Sequence, residues 1–375
     1  MKKFVITFFI PNITLGGSEK SLIKLANILA ENLNNQIIII TVKNLEEKQI
    51  KNFSVPINNK IKFLSLNGKS IRNFRIWYNL VRFTTKNPSN IFCCWSYSPS
   101  TLGTFLKFFL NTETLMISIR DVYDEKSFFK KYIRSFLFKR ADIITANSSQ
   151  NLQRIQSFLG YNNIIYKLLK NTIETKRVDK LSKSKLNFKN INFNNKDTVN
   201  ILSVGRIEHQ KGFDILLESI SLIPSEYNFT ISIIGEGSML DSLKLRADKM
   251  GISNKLNWLG SKSNPYPYYL NFDLLVFPSR HEGFPNVLLE SMVIGIPVIS
   301  TNCLTGPNEL LENGKYGQLI PVDDPFLLSK AIVKFFQNKS HFIDLANERK
   351  KQLIKNYDSI IVKYDYLEIF NCKNG

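Results

Sequence analysis

Short apolar runs alternate along the chain with longer stretches whose apolar positions recur every three or four residues. The short runs read as strands buried on both faces: Phe4–Ile10, Gln36–Val42, Ile61–Leu66, Ile91–Trp95, Leu115–Ile119 and Asp142–Ala146. Between them lie predicted helices at Ser18–Leu33, Ile71–Thr85, roughly Ser100–Leu110, Ser127–Lys139 and Gln150–Leu159. Such alternation builds βαβ units and a parallel sheet. From about Glu174 to Lys196 the chain is rich in Lys, Asn and Ser with weak periodicity, as a connection between domains would be. The alternation then restarts. Strands are predicted at Asn200–Val204, Phe229–Ile234, Leu256–Leu259, Leu274–Phe277 and Val298–Ser300. Helices are predicted at Gly212–Ile223, Met239–Met250, after Pro285, and at Pro325–Phe336, His341–Lys355 and Ser359–Phe370. The expected fold is α/β, with two doubly wound Rossmann-like domains, residues 1–175 and 199–358, joined by a linker at 176–198. Two such domains facing each other leave a cleft at the carboxyl ends of their strands, where ligands bind.

Composition narrows the class. A chain of 375 residues with 43% hydrophobic content supports two cores and argues against disorder. No apolar run approaches the ~18–20 residues of a spanning helix. The amino-terminal Met1–Pro11 lacks a small-residue cleavage site and runs toward Gly16-Gly17, so it reads as a first strand rather than a signal peptide. Four cysteines in no zinc or disulfide pattern fit a reduced cytosolic setting, and three histidines make a multi-histidine metal site improbable. The net charge of +19 is lopsided: residues 1–180 carry 28 Lys and Arg against 11 Asp and Glu, residues 181–375 carry 22 against 20. One basic half suggests a polyanion or an anionic membrane as partner. No nucleic-acid recognition signature accompanies it.

Several constellations carry candidate chemistry. Glu282 and Glu290 bracket a Gly283-Phe284-Pro285-Asn286 turn and a helix start. The free N–H groups and positive dipole of a helix N-terminus attract phosphate, and neighbouring carboxylates suit hydroxyls, as on a ribose or hexose. The other reading is a surface helix with two solvated glutamates. Arg206 and Lys211 project from a strand-to-helix loop and suit a diphosphate, one as a fork and one as a point charge. The other reading is two loop cations in a lysine-rich protein. Gly16-Gly17-Ser18-Glu19 lets backbone approach a ligand, or is an ordinary turn, and it is not a dinucleotide fingerprint. Gly235-Glu236-Gly237 sits where a base or ribose would lie, or is a helix's first turn. Lys126–Arg140 is aromatic and basic. Lys130, Lys131 and Arg134 would meet an anionic membrane or grip an acceptor diphosphate, or the helix is half-buried with a solvated cationic face.

Together these segments resemble family 4 retaining glycosyltransferases of the GT-B fold, over nearly the whole chain. The resemblance rests on Gly16–Glu19, Ala141–Ser148, Lys170–Glu174, Val204–Gly212, Gly235–Gly237, Glu282–Glu290 and Gly295–Ser300. It implies that Arg206 and Lys211 hold the donor diphosphate, Glu282 contacts the donor sugar and Glu290 the ribose. Backbone at Gly283–Asn286 would approach the distal phosphate, Gly17 would close the donor site, and Arg206, Lys211 and Glu282 would be catalytic. It implies no metal and no other cofactor, front-face attack with retention, and a final helix, 359–375, crossing back to the first domain. Thr301–Leu311 and Glu312–Gly317 are similar to a subgroup that builds bacterial capsule, O-antigen or exopolysaccharide on polyprenyl-diphosphate carriers, often from UDP-linked galactose-type or N-acetylated sugars. The implied partners are a nucleotide sugar, a lipid-linked or saccharide acceptor and an anionic membrane, not nucleic acid. The implied location is cytoplasmic, on the inner face of the cell membrane. Many relatives carry a histidine near the end of the fifth strand. This chain has Ser118-Ile119-Arg120-Asp121, so Arg120 and Asp121 become the acceptor-side candidates. Two competing readings remain: a nucleotide-sugar epimerase on the same fold, and a non-catalytic, membrane-docked assembly partner.

Overall fold

A computed structural model describes residues 4–13, 16–32, 36–44, 56–121, 128–160, 163–185 and 198–371. The chain divides into two compact units, residues 1–172 with 362–375, and residues 173–361. In the first, the order along the chain is β1 (Val5–Ile10), α1 (Gly17–Asn32), β2 (Gln36–Thr41), β3 (Ile61–Ser65), α2 (Phe74–Lys86), β4 (Ser89–Trp95), α3 (Tyr97–Phe105), β5 (Thr112–Ile119), α4 (Phe128–Phe138), β6 (Ile143–Ala146), α5 (Ser149–Leu159) and β7 (Ile165–Leu168). The strands pair in the order β3-β2-β1-β4-β5-β6-β7, each pair parallel. Successive residues of β1 serve opposite faces: Ile6, Phe8 and Ile10 join the core under α1, while Phe9 joins the core under α2 to α5. α2 begins at Phe74 rather than Ile71, because the Asn73 side chain accepts the N–H of Arg75 at 2.9 Å and starts the helix there.

The second unit runs α6 (Thr175–Ser182), β8 (Val199–Val204), α7 (Phe213–Ser221), β9 (Phe229–Ile234), α8 (Leu240–Lys249), β10 (Leu256–Gly260), α9 (Tyr266–Asn271), β11 (Leu274–Phe277), α10 (Asn286–Ile294), β12 (Val298–Thr301), α11 (Pro307–Leu310), β13 (Gln318–Ile320), α12 (Pro325–Gln337) and α13 (Lys339–Tyr357). Its parallel sheet has the order β10-β9-β8-β11-β12-β13. β7, α6, α9, α11 and β13 are additions to the elements expected from periodicity. α6 lies within the stretch read as a connection. Val178 buries it in the core shared with α9 and α10, and Thr175 is bonded to Asp358.

The last helix, α14 (Ser359–Asn371), presents Val362, Tyr366, Ile369 and Phe370 at helical spacing to the core of the first unit. The Phe370 ring stands 5.9 Å from that of Phe8. No described helix is long and apolar enough to cross a membrane. Phe370→Ala is expected to cost ~3–5 kcal/mol in the first unit. Urea unfolding followed by fluorescence checks it, and an unchanged midpoint would show that α14 is not part of that core.

Candidate active site

Each sheet reverses its winding once, between β1 and β4 in the first unit and between β8 and β11 in the second. Loops at the carboxyl ends of such strand pairs splay apart and leave a crevice. In the second unit those loops are 205–212 and 278–285. They carry Arg206, Lys211 and Glu282. Lys211 Nζ lies 2.5 Å from Glu282 Oε1 and 5.6 Å from the centre of the Phe277 ring. Both charged side chains are largely buried. Arg206 is exposed on the same loop, close enough for its charge to act on Glu208. The structure thus joins Lys211 directly to Glu282, while Arg206 stands on the same loop near Glu208.

A third cation holds these two loops in register. Arg280 forks both oxygens of Asp214 at 2.8 Å, reaches Asp323 at 2.7 Å and donates to the His209 carbonyl at 2.7 Å. Its backbone N–H donates to the Gln210 carbonyl, and the Gln210 side chain donates to that of His281. The 3-10 turn His209–Lys211 is therefore fastened at several points to the strand exit that bears Glu282. On the far side, the Thr305 hydroxyl donates to the Glu282 carbonyl. Cys303 is buried nearby, and burial followed by the charge of Glu282 pushes its thiol up to about 12. The Thr301–Leu311 segment thus buttresses this loop.

Backbone contact requires the glycines here. A Cβ on Gly235, at φ +150°, would stand 1.8 Å from the Gly205 carbonyl oxygen, and one on Gly212, at φ +66°, 2.0 Å from that of Pro278. Gly235 N–H donates to Gly260, and Ile207 N–H to Glu236, so the exits of β8, β9 and β10 lie side by side. Glu208 binds the N–H and hydroxyl of Ser238, which, with the charge of Arg206, holds its carboxyl below the usual range.

α10 starts at Asn286 behind Pro285, which offers no side-chain cap. The Phe284 ring is buried 5.7 Å from that of Tyr357, so this residue offers a ligand its backbone. Pro285 is likewise buried and faces Gly306. The buried Phe284 and Pro285 anchor the loop inward, which leaves its backbone and the partly exposed Asn286 to meet a ligand. Glu290, in the second turn of α10, has different neighbours from Glu282. Tyr266 hydrogen-bonds it, and Tyr269 lies within its field. Burial, then the Glu290 charge, raises both phenols.

In the first unit, Gly16 and Gly17 follow β1 at its switch point, and the Ser18 hydroxyl and carbonyl accept the Trp95 indole N–H at 3.0 and 3.2 Å. Arg120, an acceptor-side candidate, is buried, stacked 3.8 Å over Trp95, and donates to the Leu169 carbonyl and the Asn171 side chain. Burial lowers its pKa to about 10, so it remains charged at neutral pH. Asp121 is exposed, as are Lys130 and Lys131, while Arg134 lies 5.0 Å from the centre of Tyr97. Sequence reasoning missed Arg280, Asp214, Tyr266, Trp95 and Ser96, the last at φ +80° immediately after β4. The only signal for Arg280 is its place two residues before Glu282. Among the described residues no three His, Cys, Asp or Glu side chains are grouped to hold a metal.

Burial raises the Asp214 carboxyl, but the hydrogen bonds and charge of Arg280 outweigh it and the net pKa is lowered. A carboxylate depressed on folding stabilises above its unfolded pKa, and that contribution is lost as pH falls through the folded value. The wild type is therefore expected to exceed Asp214→Asn in stability at neutral pH, with the gap closing below about pH 4. Urea midpoints across pH measure it. A gap independent of pH would contradict the pairing.

Comparison with known proteins places the chain among similar sequences and folds. The chain is 31% identical over 179 residues to an uncharacterised glycosyltransferase of Methanocaldococcus jannaschii, covering 47% of this chain and 43% of that one, so it spans less than half of that relative's length. It is 25% identical over 369 residues to the Campylobacter jejuni N-acetylgalactosamine-N,N'-diacetylbacillosaminyl-diphospho-undecaprenol 4-alpha-N-acetylgalactosaminyltransferase, covering 96% and 97%. The fold superposes on Anabaena HepE in complex with UDP and glucose at a TM-score of 0.82, with 16% identity and 98% and 100% coverage. Both folds are α/β, with two parallel-sheet Rossmann-like domains. Residues 184–357, which hold Arg206, Lys211, Glu282 and Glu290, match the family model Glycosyl transferases group 1.

Proposed function

We propose that this chain is a retaining glycosyltransferase that moves a hexose or N-acetylhexosamine from a UDP-sugar to a polyprenyl-diphosphate-linked glycan in bacterial surface-polysaccharide synthesis. The observation that carries the reading is the largely buried Lys211–Glu282 pair at the switch point, with Glu282 four residues before the start of α10. In this reading Arg206 and Lys211 bind the diphosphate, and the first N–H groups of α10 take its distal phosphate. Glu282 and Glu290 accept hydroxyls, the former from the sugar and the latter from the ribose, where Tyr266 holds its carboxylate in place. The bond from the anomeric carbon to the phosphate oxygen breaks as the acceptor hydroxyl bonds the same face. The acceptor proton passes to the leaving phosphate. Arg206 and Lys211 offset the charge that develops there, the part a divalent cation would otherwise play, so transfer proceeds in EDTA.

The Campylobacter relative's name supports a lipid-diphosphate acceptor and an N-acetylated sugar, and HepE's complex supports UDP as the nucleotide. The basic residues Lys130, Lys131 and Arg134 on α4 are assigned to an anionic membrane on the cytoplasmic side.

Glu282→Gln and Lys211→Ala are each expected to lower transfer by about a hundredfold or more while leaving far-UV circular dichroism unchanged. The assay pairs a panel of UDP-sugars with a polyprenyl-diphosphate glycan and reads the anomeric configuration of the product. Near-normal turnover by folded Lys211→Ala would refute the assigned role. Donor interconversion without acceptor would make the protein an epimerase.

A further inference from the structure

The guanidinium of Arg120 stands in the first unit without a counter-charge. It follows the carboxyl end of β5 and is 5% exposed. Nη1 makes both of its hydrogen bonds, to the Leu169 carbonyl at 2.9 Å and the Asn171 side chain at 3.2 Å. The edge formed by Nε and Nη2 has no partner among the described residues, and Nε is fully buried. No described carboxylate pairs with it. The groups whose charge acts on Arg120 are Tyr366 and Cys93, and burial raises each to about 12, so both are neutral at neutral pH. Two more polar atoms beside it are orphaned. The Asn147 side chain donates to the Arg120 carbonyl at 3.0 Å, which leaves its Oδ1 buried and unbonded. Thr172 follows Asn171, and its hydroxyl is buried and unbonded as well. Trp95, at the end of β4, covers one face of the guanidinium. These residues stand at the exits of β4, β5, β6 and β7, neighbours in the sheet, at the end where ligands bind in this architecture.

Folding does not account for the group. A desolvated cation without an anion is costly, and so is each buried polar atom left unpaired. An anion entering the cluster offsets these costs together. The free Nε–Nη2 edge is suited to fork two coplanar oxygens. The charge is single, since no second cation acts on Arg120. One guanidinium matches a monoanion better than a phosphate dianion or a diphosphate. Asn147 Oδ1 can accept from a sugar hydroxyl, and the Thr172 hydroxyl can accept or donate. A carboxylate flanked by hydroxyls is the chemistry of a uronic acid. We propose that Arg120, with Asn147 and Thr172, forms a site for the carboxylate of a uronic acid residue in the acceptor glycan. The site deepens the transferase reading and rests on it for the word acceptor, while carboxylate binding is measured without turnover.

The test follows binding to the full chain by saturation-transfer NMR, without donor. The probes are methyl glucuronide, methyl glucoside and glucose-6-phosphate. The wild type is expected to bind the glucuronide about tenfold or more tightly than the glucoside. Arg120→Gln is expected to abolish that preference, with far-UV circular dichroism unchanged. Asn147→Ala leaves the guanidinium in place and is expected to weaken glucuronide binding severalfold, which keeps the test open if Arg120→Gln does not fold. Equal wild-type binding of glucuronide and glucoside, or an unchanged preference in folded Arg120→Gln, overturns the proposal. Tighter binding of glucose-6-phosphate than of glucuronide overturns it in favour of a phosphate site. A transfer assay with polyprenyl-diphosphate acceptors ending in glucuronic acid or in glucose separates the two readings. Transfer to the glucose acceptor without glucuronide binding overturns the carboxylate site and leaves the transferase. Glucuronide binding with transfer to neither acceptor supports the site and contradicts the transferase.

Discussion

The candidate site depends on one ion pair, Lys211 with Glu282, held where the strand order of the second sheet reverses. Two charges brought out of water lose hydration that their mutual attraction restores only if the geometry is fixed. Fixing it is the task of Arg280, whose guanidinium takes two carboxylates and a carbonyl on one rigid plane. Lysine at 280 would offer no such fork. The close passage of Gly212 by Pro278, and of Gly235 by Gly205, sets how near the loops approach. A diphosphate entering beside Lys211 would find a cation already oriented and a helix N-terminus without a side-chain cap. Little reorganisation would then accompany binding.

The first unit has a comparable device at its own switch point. Trp95 leaves β4 and ties the start of α1 through Ser18, while Arg120 leaves β5 and stacks beneath the indole. An arginine tolerates this because its guanidinium stacks on the ring while one terminal nitrogen donates to the Leu169 carbonyl and the Asn171 side chain. The charge here orders a loop. The cations left at the surface gather instead along α2 and α4, with aromatic rings among them.

The sheet strands were legible because runs such as Ile37-Ile38-Ile39-Ile40 have no other plausible state in a parallel sheet. The weaker elements were not. α6 shows little besides Val178 as a core position, and β13 has three residues, too few to establish a period. The interest of Arg206, Lys211 and Glu282 could be suspected from residue type and position after strands, and the folded chain pairs the last two. Arg280 could not, since its partners Asp214 and Asp323 stand 66 and 43 residues away and only the folded sheet unites them. The burial of Arg120 was not legible, because a charged residue at a strand end normally faces water. Its burial depends on Trp95, from a neighbouring strand.

The account's central claim concerns where a phosphate goes. A crystal structure of the protein with a non-hydrolysable UDP-sugar tests it directly. The account predicts the distal phosphate within hydrogen-bond reach of Lys211 Nζ and the first N–H groups of α10, with Glu282 turned to the sugar. A diphosphate bound elsewhere, with Lys211 still closed on Glu282, would contradict it.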